Sequence, residues 1–362
     1  MLRPLSTAAL VLTLLAGYAL ASAAQDAPTR FRDQVTVNEV LLDVLVTDSH
    51  GDVIIGLTPD DFVVEENGER IPVESLTFYS NRALLSAAAP SSVDIDRVPQ
   101  DRLFILFFDD QRTKAGEAPR IFSQQMNAAQ ESKRWVRQEL LPGDWVAVLS
   151  YGFKLKLHQD FTQDKDALAA AIDRAVRNAD EPEWPSRAVK EDTSPFSLRR
   201  GLPTGNDLRD QTTTIYDALQ VMSRAAGQIQ GRKNLLLFTL GFGQVTSFGL
   251  YRPDSRYYPP TMQTLNDNNV AVYAIDLAPP GVDHTMQDAL NQLALETGGE
   301  YLFNFTNFIK PLRRVSESNN GYYLLGYRSH HSSGESGYQK VKVSTTNPEF
   351  RVKARAGYLY GE

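Results

Sequence analysis

The sequence predicts a doubly wound, mostly parallel α/β sheet flanked by helices, with a small β-sandwich-like domain supplied by the two ends of the chain. Continuous apolar runs between residues 103 and 305 alternate with stretches of 3.6-residue periodicity, as expected of strands buried on both faces and separated by helices. Period-2 alternation and turn residues dominate positions 35–79, and they return after residue 320. The 362 residues, 42% hydrophobic and 22% charged, suffice for a large core with a smaller domain attached. There is no cysteine, which excludes disulfides, zinc–thiolate sites and thiol nucleophiles. A net charge of −7 has the wrong sign for neutralising phosphates, so nucleic acid is not an expected partner.

Taken in order, residues 1–24 carry Arg3, an apolar run from Ala8 to Leu20, and then Ala21-Ser22-Ala23-Ala24. This is the layout of a secretory signal peptide. The alternative is an uncleaved anchor, although the run is short against the roughly 20 residues of a membrane span. Cleavage would remove one arginine and give −7 − 1 = −8. The mature chain is then expected in the periplasm or outside the cell, with no transmembrane span.

A β segment is predicted over 34–80, where Val35, Val37, Leu42, Val44 and Val46 alternate with other residues before the turn Asp48-Ser49-His50-Gly51-Asp52. Glu66-Asn67-Gly68-Glu69 between Phe62-Val63-Val64 and Ile71-Pro72-Val73 is a hairpin signal. Residues 81–100, rich in Ala, Ser and Pro, form a linker, and the α/β domain follows over 101–319. Its strands are expected at 103–108, 145–150, 234–239, 270–275 and 301–305, and its helices at 117–140, 164–177, 214–230, 261–268, 286–297 and 307–319. Lys154–Asp160 alternates Lys-Leu-Lys-Leu-His and is expected to be an antiparallel edge strand whose lysines block further pairing. The long segments 179–212 and 243–260 are placed at the carboxyl ends of strands, where such sheets bind ligands. Strands at 322–327, 338–345 and 350–358 complete a C-terminal segment, 320–362. An isolated hairpin is marginal in water, so this tail is expected either to pair with 34–80 in one sandwich or to pack separately on the α/β domain.

Phe107-Phe108-Asp109-Asp110-Gln111-Arg112-Thr113, then Thr212-Thr213-Thr214, then Phe238-Thr239-Leu240-Gly241 resemble, in order and spacing, the three metal-site loops of von Willebrand factor A domains. The whole mature chain is similar to the bacterial, acidobacterial-type VWFA-related family. The likeness rests on 43–51 with 56–68, Leu-Pro-Gly-Asp-Trp-Val-Ala-Val at 141–148, Thr-Gly-Gly-Glu-Tyr at 297–301, and Tyr-Tyr-Leu-Leu-Gly-Tyr at 322–327 with Arg355-Ala356-Gly357-Tyr358. The resemblance implies a Rossmann-like sheet that binds a protein partner at its carboxyl-end crest. Its metal-ion-dependent adhesion site would be degenerate: Asp109, Gln111, Thr113 and Thr213 match metal-ligand positions, but Leu240 replaces the expected Asp. Mg²⁺ or another divalent cation would bind weakly or not at all, since hard cations want several oxygens including carboxylates. The competing role is helix capping by Asp109 and Thr213.

Phe248, Tyr251, Arg252, Arg256, Tyr257 and Tyr258 form an aromatic and basic cluster of the kind enriched at interface hot spots, unless they merely pack the loop. Enzyme signatures are missing: the histidines show no His-x-x-x-His spacing, and neither Gly-x-Ser-x-Gly nor a Walker A loop occurs. The expected function is therefore an exported, non-enzymatic interaction module. The alternatives are a metal-assisted hydrolase using Asp109 and Asp110, and an inert envelope scaffold.

Overall fold

The computed structural model describes residues 39–80, 101–110, 118–177, 179–180, 194–245, 251–282, 284, 286–329 and 336–360. The signal peptide, Val35, Val37, the linker, Gln111, Thr113 and Phe248 lie outside these residues. The elements are β1 (Glu39–Thr47), β2 (Phe62–Glu66), β3 (Glu69–Ile71), β4 (Ser75–Ser80), β5 (Arg102–Asp109), α1 (Ala118–Gln138), β6 (Asp144–Tyr151), β7 (Leu155–Thr162), α2 (Lys165–Val176), α3 (Gly205–Asp210), α4 (Ile215–Gly227) and β8 (Lys233–Thr239). They continue with β9 (Gln244–Val245), β10 (Tyr251–Arg252), α5 (Tyr258–Asp267), β11 (Val270–Asp276), α6 (Gln287–Glu296), β12 (Glu300–Leu302), α7 (Ile309–Ser318), β13 (Gly321–Arg328), β14 (Gly337–Thr345), β15 (Arg351–Lys353) and β16 (Gly357–Tyr360).

The central sheet has the order β12-β11-β8-β5-β6-β7. Every pairing is parallel except that of β7, which runs antiparallel to β6. The inner strands β5, β6, β8 and β11 are buried on both faces because alternate side chains feed different cores. From β5, Leu103, Ile105 and Phe107 enter the core shared with α3, α4, α5 and α6, whereas Phe104, Leu106 and Phe108 enter the one shared with α1, α2 and α7.

The β7 edge is protected differently from the sequence expectation. Lys156 does not point into water; it is 7% exposed, and its Nζ donates to Ala179 O at 3.1 Å. The edge is instead covered by chain. Asp160 accepts bonds from the Leu198 and Arg199 N–H groups and the Ser197 hydroxyl, and Leu155 N–H donates to Thr212 Oγ1. Residues 194–212, placed by the sequence at the crest, thus run along the sheet edge and contain α3. Chain laid along an edge blocks further pairing, as charge does elsewhere.

Inside this region, Ser150 Oγ lies 2.8 Å from His158 Nε2, and both residues are fully buried. Burial first, then Arg174 and Lys156, lower the His158 pKa to about 3. Unfolding returns the imidazole to its ordinary value near 6.5, so the unfolded chain binds one more proton between those limits. This contribution to stability is complete above pH 6.5 and is lost as pH falls toward 3. Urea unfolding between pH 6.5 and 5 is therefore expected to show stability falling by about 1.4 kcal/mol per pH unit from this residue, and His158→Gln to flatten that slope. Equal slopes in the two proteins would contradict the assignment.

Strands from both ends of the chain form the β-sandwich. One sheet is β15-β1-β13-β4 and the other β16-β14-β2-β3. Leu42, Val44, Phe62, Val64, Phe78, Tyr323, Leu325 and Val341 fill the space between them. The β2–β3 hairpin turns at Asn67 (φ 48°) and Gly68 (φ 91°), the two positive φ values that an Asn-Gly turn supplies cheaply. The segment 350–358, read from the sequence as one strand, is two. β15 pairs with β1, β16 pairs with β14, and the chain changes sheets at Ala354–Ala356, where Ala356 N–H donates to Glu296 O at 2.9 Å.

The sandwich sits at the amino end of the parallel sheet, against the chain that leaves α5 and α6. Arg355 donates to Asn266 O and Leu41 O, Leu359 N–H to Asp267 Oδ1, and the Asn269 amide to the Asp43 carboxylate. Lys233 opens β8 beside Asp43 and is 2% exposed; burial pulls its pKa down to about 8 while Asp43 opposes the fall. With the amino end covered, the carboxyl end of the sheet is the functional candidate.

Candidate functional site at the carboxyl-end crest

Strand order reverses between β5 and β8, and the chain leaves these neighbours toward opposite faces, which opens a crevice beyond their carboxyl ends. Asp109 ends β5 and Thr239 ends β8. The Thr239 hydroxyl donates to Asp109 Oδ2 at 2.6 Å and accepts Gly241 N–H at 2.8 Å, tying the two strand ends and the turn after β8 together. Gly241 has φ 95°, and a Cβ there would come within 2.5 Å of Met286 Cβ, so the turn needs glycine on both counts. Stacked Phe108 and Phe238 rings, 4.7 Å apart, support this junction from below.

On the other side of β5, Asp110 N–H donates to Tyr151 O at 2.7 Å, and the Tyr151 hydroxyl donates to Thr213 O at 2.9 Å. Burial, reinforced by Asp109 and Asp217, raises the Tyr151 pKa to about 12. Tyr151 thus stands as a neutral phenol between two carboxylates and holds the entrance to α4. The cap of α4 is Thr214, not Thr213: Asp217 N–H donates to Thr214 Oγ1, and Thr214 N–H donates to Asp217 Oδ2, a reciprocal capping box. Thr213 is exposed, and its hydroxyl lies 3.3 Å from the same Asp217 oxygen. Asp109 Oδ2 is held by the Thr239 hydroxyl.

These positions do not make a good hard-cation site. One oxygen of Asp109 already accepts a 2.6 Å hydrogen bond, the Thr213 hydroxyl is turned to Asp217, and Leu240 packs on the core. Gln111 and Thr113 lie outside the described residues. Among the described residues, no group of three or more His, Asp or Glu side chains is arranged to hold a metal.

Of the predicted aromatic and basic cluster, Arg256, Tyr257 and Tyr258 are anchored on neighbouring elements. Tyr251 and Arg252 form β10, whose backbone pairs with β9. Arg256 grips Asp254 through Nε and Nη2, at 3.1 and 2.9 Å, and its guanidinium lies over the Tyr257 ring at 5.4 Å. Tyr257 stacks on Tyr216 of α4, and the Tyr216 hydroxyl accepts Asp254 N–H at 3.0 Å. The Tyr258 hydroxyl donates to Ala289 O. Pro259 and Pro260 let α5 begin at Tyr258, three residues before the position expected from periodicity, since a helix's first turn needs no N–H partners inside the helix. Tyr257 and Tyr258 are half-buried, leaving Arg256 as the exposed member of the three.

A second cluster, not foreseen in the sequence, closes the crest at β11 and β12. Asp276 Oδ2 accepts from the Tyr301 hydroxyl at 2.5 Å and lies 2.7 Å from His284 Nε2, while its Oδ1 takes Ala278 N–H. Tyr301 carries Phe303 stacked on it, with ring centres 4.9 Å apart. Phe303 is 51% exposed, Val282 43% and Phe153, on the β6–β7 turn, 77%, so large apolar groups face solvent at both flanks of the crevice. The apolar Phe in Tyr151-Gly152-Phe153-Lys154, between two strand signals, was the visible hint. Thr239 and Asp276 gave no such hint, because each looks like the last residue of a buried strand.

The strand order and the two helical layers define a doubly wound, mostly parallel α/β fold joined to a β-sandwich. No family model matches the chain, and no curated protein matches it. Solved structures similar to it include a von Willebrand factor type A protein from Catenulispora acidiphila, at 9% identity and a TM-score of 0.40, covering 89% of this chain and 75% of that one. An aerotolerance-related membrane protein from Bacteroides fragilis shares 10% identity at a TM-score of 0.37, covering 60% of this chain and 98% of that chain. The conserved hypothetical protein BatB from Bacteroides thetaiotaomicron shares 12% identity at 0.35, with coverages of 60% and 97%. No helix among the described residues is long and apolar enough to cross a membrane.

Proposed function

We propose that this protein is an exported, non-enzymatic interaction module that binds a protein partner at the carboxyl-end crest of its sheet. The observation that carries the proposal is the apolar surface that Phe153, Val282 and Phe303 expose at the carboxyl end, which the sandwich at the amino end leaves uncovered. Exposed aromatics around polar groups mark association sites more often than isolated apolar residues do. Arg256, fixed on Asp254 and Tyr257, adds a rigid cationic group to the same end. Export rests on the signal-peptide layout of residues 1–24.

Binding is favoured over catalysis by how the polar groups are engaged. Asp109 is held by Thr239, Asp276 bonds Tyr301 and His284, and the buried Ser150–His158 pair has no path to a substrate. Affinity capture from the source cells' envelope fraction tests the proposal. The crest variant Phe153→Asp/Phe303→Asp is expected to lose at least tenfold of a partner that the wild type retains, and the sandwich variant Ile55→Asp/Leu359→Asp to keep it. Loss only in the sandwich variant would overturn the proposal.

A further inference from the structure

We propose that Asp276, backed by Asn304, is the positioning residue of the β11–β12 flank of the crest, an assignment that rests on the crest being the binding surface. It clamps the loop after β11 and the chain after β12 into one preformed unit that presents Val282 and Phe303 to an apolar group of the partner. Asp276 ends β11 and is 1% exposed, and its carboxylate gathers donors from both segments. Within the loop, Oδ1 takes Ala278 N–H at 2.8 Å, and Oδ2 takes the His284 ring at 2.7 Å. Met286 N–H donates to His284 Nδ1 at 3.3 Å, so the imidazole uses its Nε2–H for Asp276 and joins it to the residue before α6. From β12, the Tyr301 hydroxyl donates to the same Oδ2, and the Tyr301 ring carries Phe303 stacked at 4.9 Å. A second tie lies further out. Pro280 and Gly281 (φ 75°) are the central residues of the turn that Val282 N–H closes on Pro279 O at 3.1 Å, the pair that a type II turn favours. Gly281 N–H donates to Asn304 Oδ1 at 2.9 Å, and Asn304 holds φ 65°, a region that Asn adopts more readily than most residues. Val282 thus follows, and Phe303 precedes, a member of one bonded pair. The apolar groups of this flank are set in place before a partner arrives, and a surface that need not be ordered on binding loses less affinity to entropy.

The test reads the placement of Phe303 and its use separately. Fluorine NMR of the purified protein with para-fluorophenylalanine at position 303 reports placement, and affinity capture from the envelope fraction reports use. Tyr301→Phe keeps the ring stack and loses the hydroxyl, while Asn304→Gly keeps the positive φ and loses the acceptor for Gly281. Each is expected to fold, to move the fluorine resonance toward that of the urea-unfolded chain, and to lower partner retention about threefold, since side chains must then be ordered on binding. Asp276→Ala releases both segments and is expected to lower retention about tenfold, with Asp276→Asn, which keeps one acceptor oxygen, recovering part of the loss. If Asp276→Ala fails to fold, Tyr301→Phe and Asn304→Gly still decide the matter. Wild-type resonance and retention in those two variants, beside a Phe303→Asp protein that has lost the partner, would overturn the positioning role and leave the crest as the binding surface. Either change without the other would also overturn it. A Phe303→Asp protein that keeps the partner would overturn both readings.

Discussion

Gly299→Ala is expected to abolish folding, or to cost more than about 4 kcal/mol. A Cβ at this position would stand 1.9 Å from the backbone oxygen of Val272 and 2.5 Å from its carbonyl carbon. Val272 belongs to the buried strand β11, whose backbone is held on one side by β8, and its N–H donates to the Thr297 hydroxyl at 3.0 Å. No flexible side chain can yield, so relief requires moving β11 or β12. The neighbouring Gly298 has φ 73°, and a Cβ there would meet the backbone of Ala354 at 2.7 Å. The Thr-Gly-Gly run therefore does two jobs: it brings β12 onto β11, and it lets the sheet-switching segment of the sandwich seat on the α/β domain. Circular dichroism and soluble yield of Gly299→Ala would check this; a protein that melts within a few degrees of the wild type would contradict the contact.

The second large effect is expected from Asp43→Ala. Asp43 is 7% exposed; it opposes the desolvation of Lys233 and, together with Asp267, that of Arg355. Removing it leaves Lys233 buried without that carboxylate, and breaking a buried charge arrangement in this way costs about 3–5 kcal/mol. It also removes the acceptor of the Asn269 amide, one of the bonds holding the sandwich to the α/β domain. Lys233→Met in the Asp43→Ala background is expected to recover part of the loss, because an apolar side chain of similar length no longer needs a counter-ion. Urea unfolding of the single and double variants measures this as a mutant cycle. Additive losses in the double variant would contradict the coupling.

Both predictions concern the amino end of the sheet, where several of the pieces behind the sequence resemblance meet. Asp43, the Thr-Gly-Gly run and the Arg355-Ala356-Gly357-Tyr358 run are far apart in the chain but converge at the junction between the sandwich and the α/β domain. The order of strands and helices was legible because burial on both faces leaves continuous apolar runs, and Asn67-Gly68 announced its hairpin. The division of 350–358 was not legible, because it is imposed by Glu296 and Gly298, which lie elsewhere in sequence. Lys154 and Lys156 looked like edge protection because local alternation cannot reveal that residues 194–212 return to cover the strand.

At the crest, Asp109 could be placed at a strand end from sequence alone, since it follows the apolar run of β5. Its bond to Thr239 could not, because that contact depends on β5 and β8 becoming neighbours across 130 residues. Arg256, Tyr257 and Tyr258 were identifiable as a cluster, but their anchoring on Asp254, Tyr216 and Ala289 makes them a rigid shelf. Phe153 and Phe303 are more exposed than the half-buried tyrosines, and in the proposed binding mode they would supply the apolar contacts.

Site-specific photo-crosslinking in the source cells is the most direct test of the crest as the partner-binding surface. A photoreactive phenylalanine analogue replaces Phe153 or Phe303 at the crest, and Ile55 or Leu359 on the sandwich. Discrete adducts to the same protein from both crest positions, and none to it from the sandwich positions, are the predicted result. Adducts to a common protein from Ile55 and Leu359 with none from the crest would contradict the account.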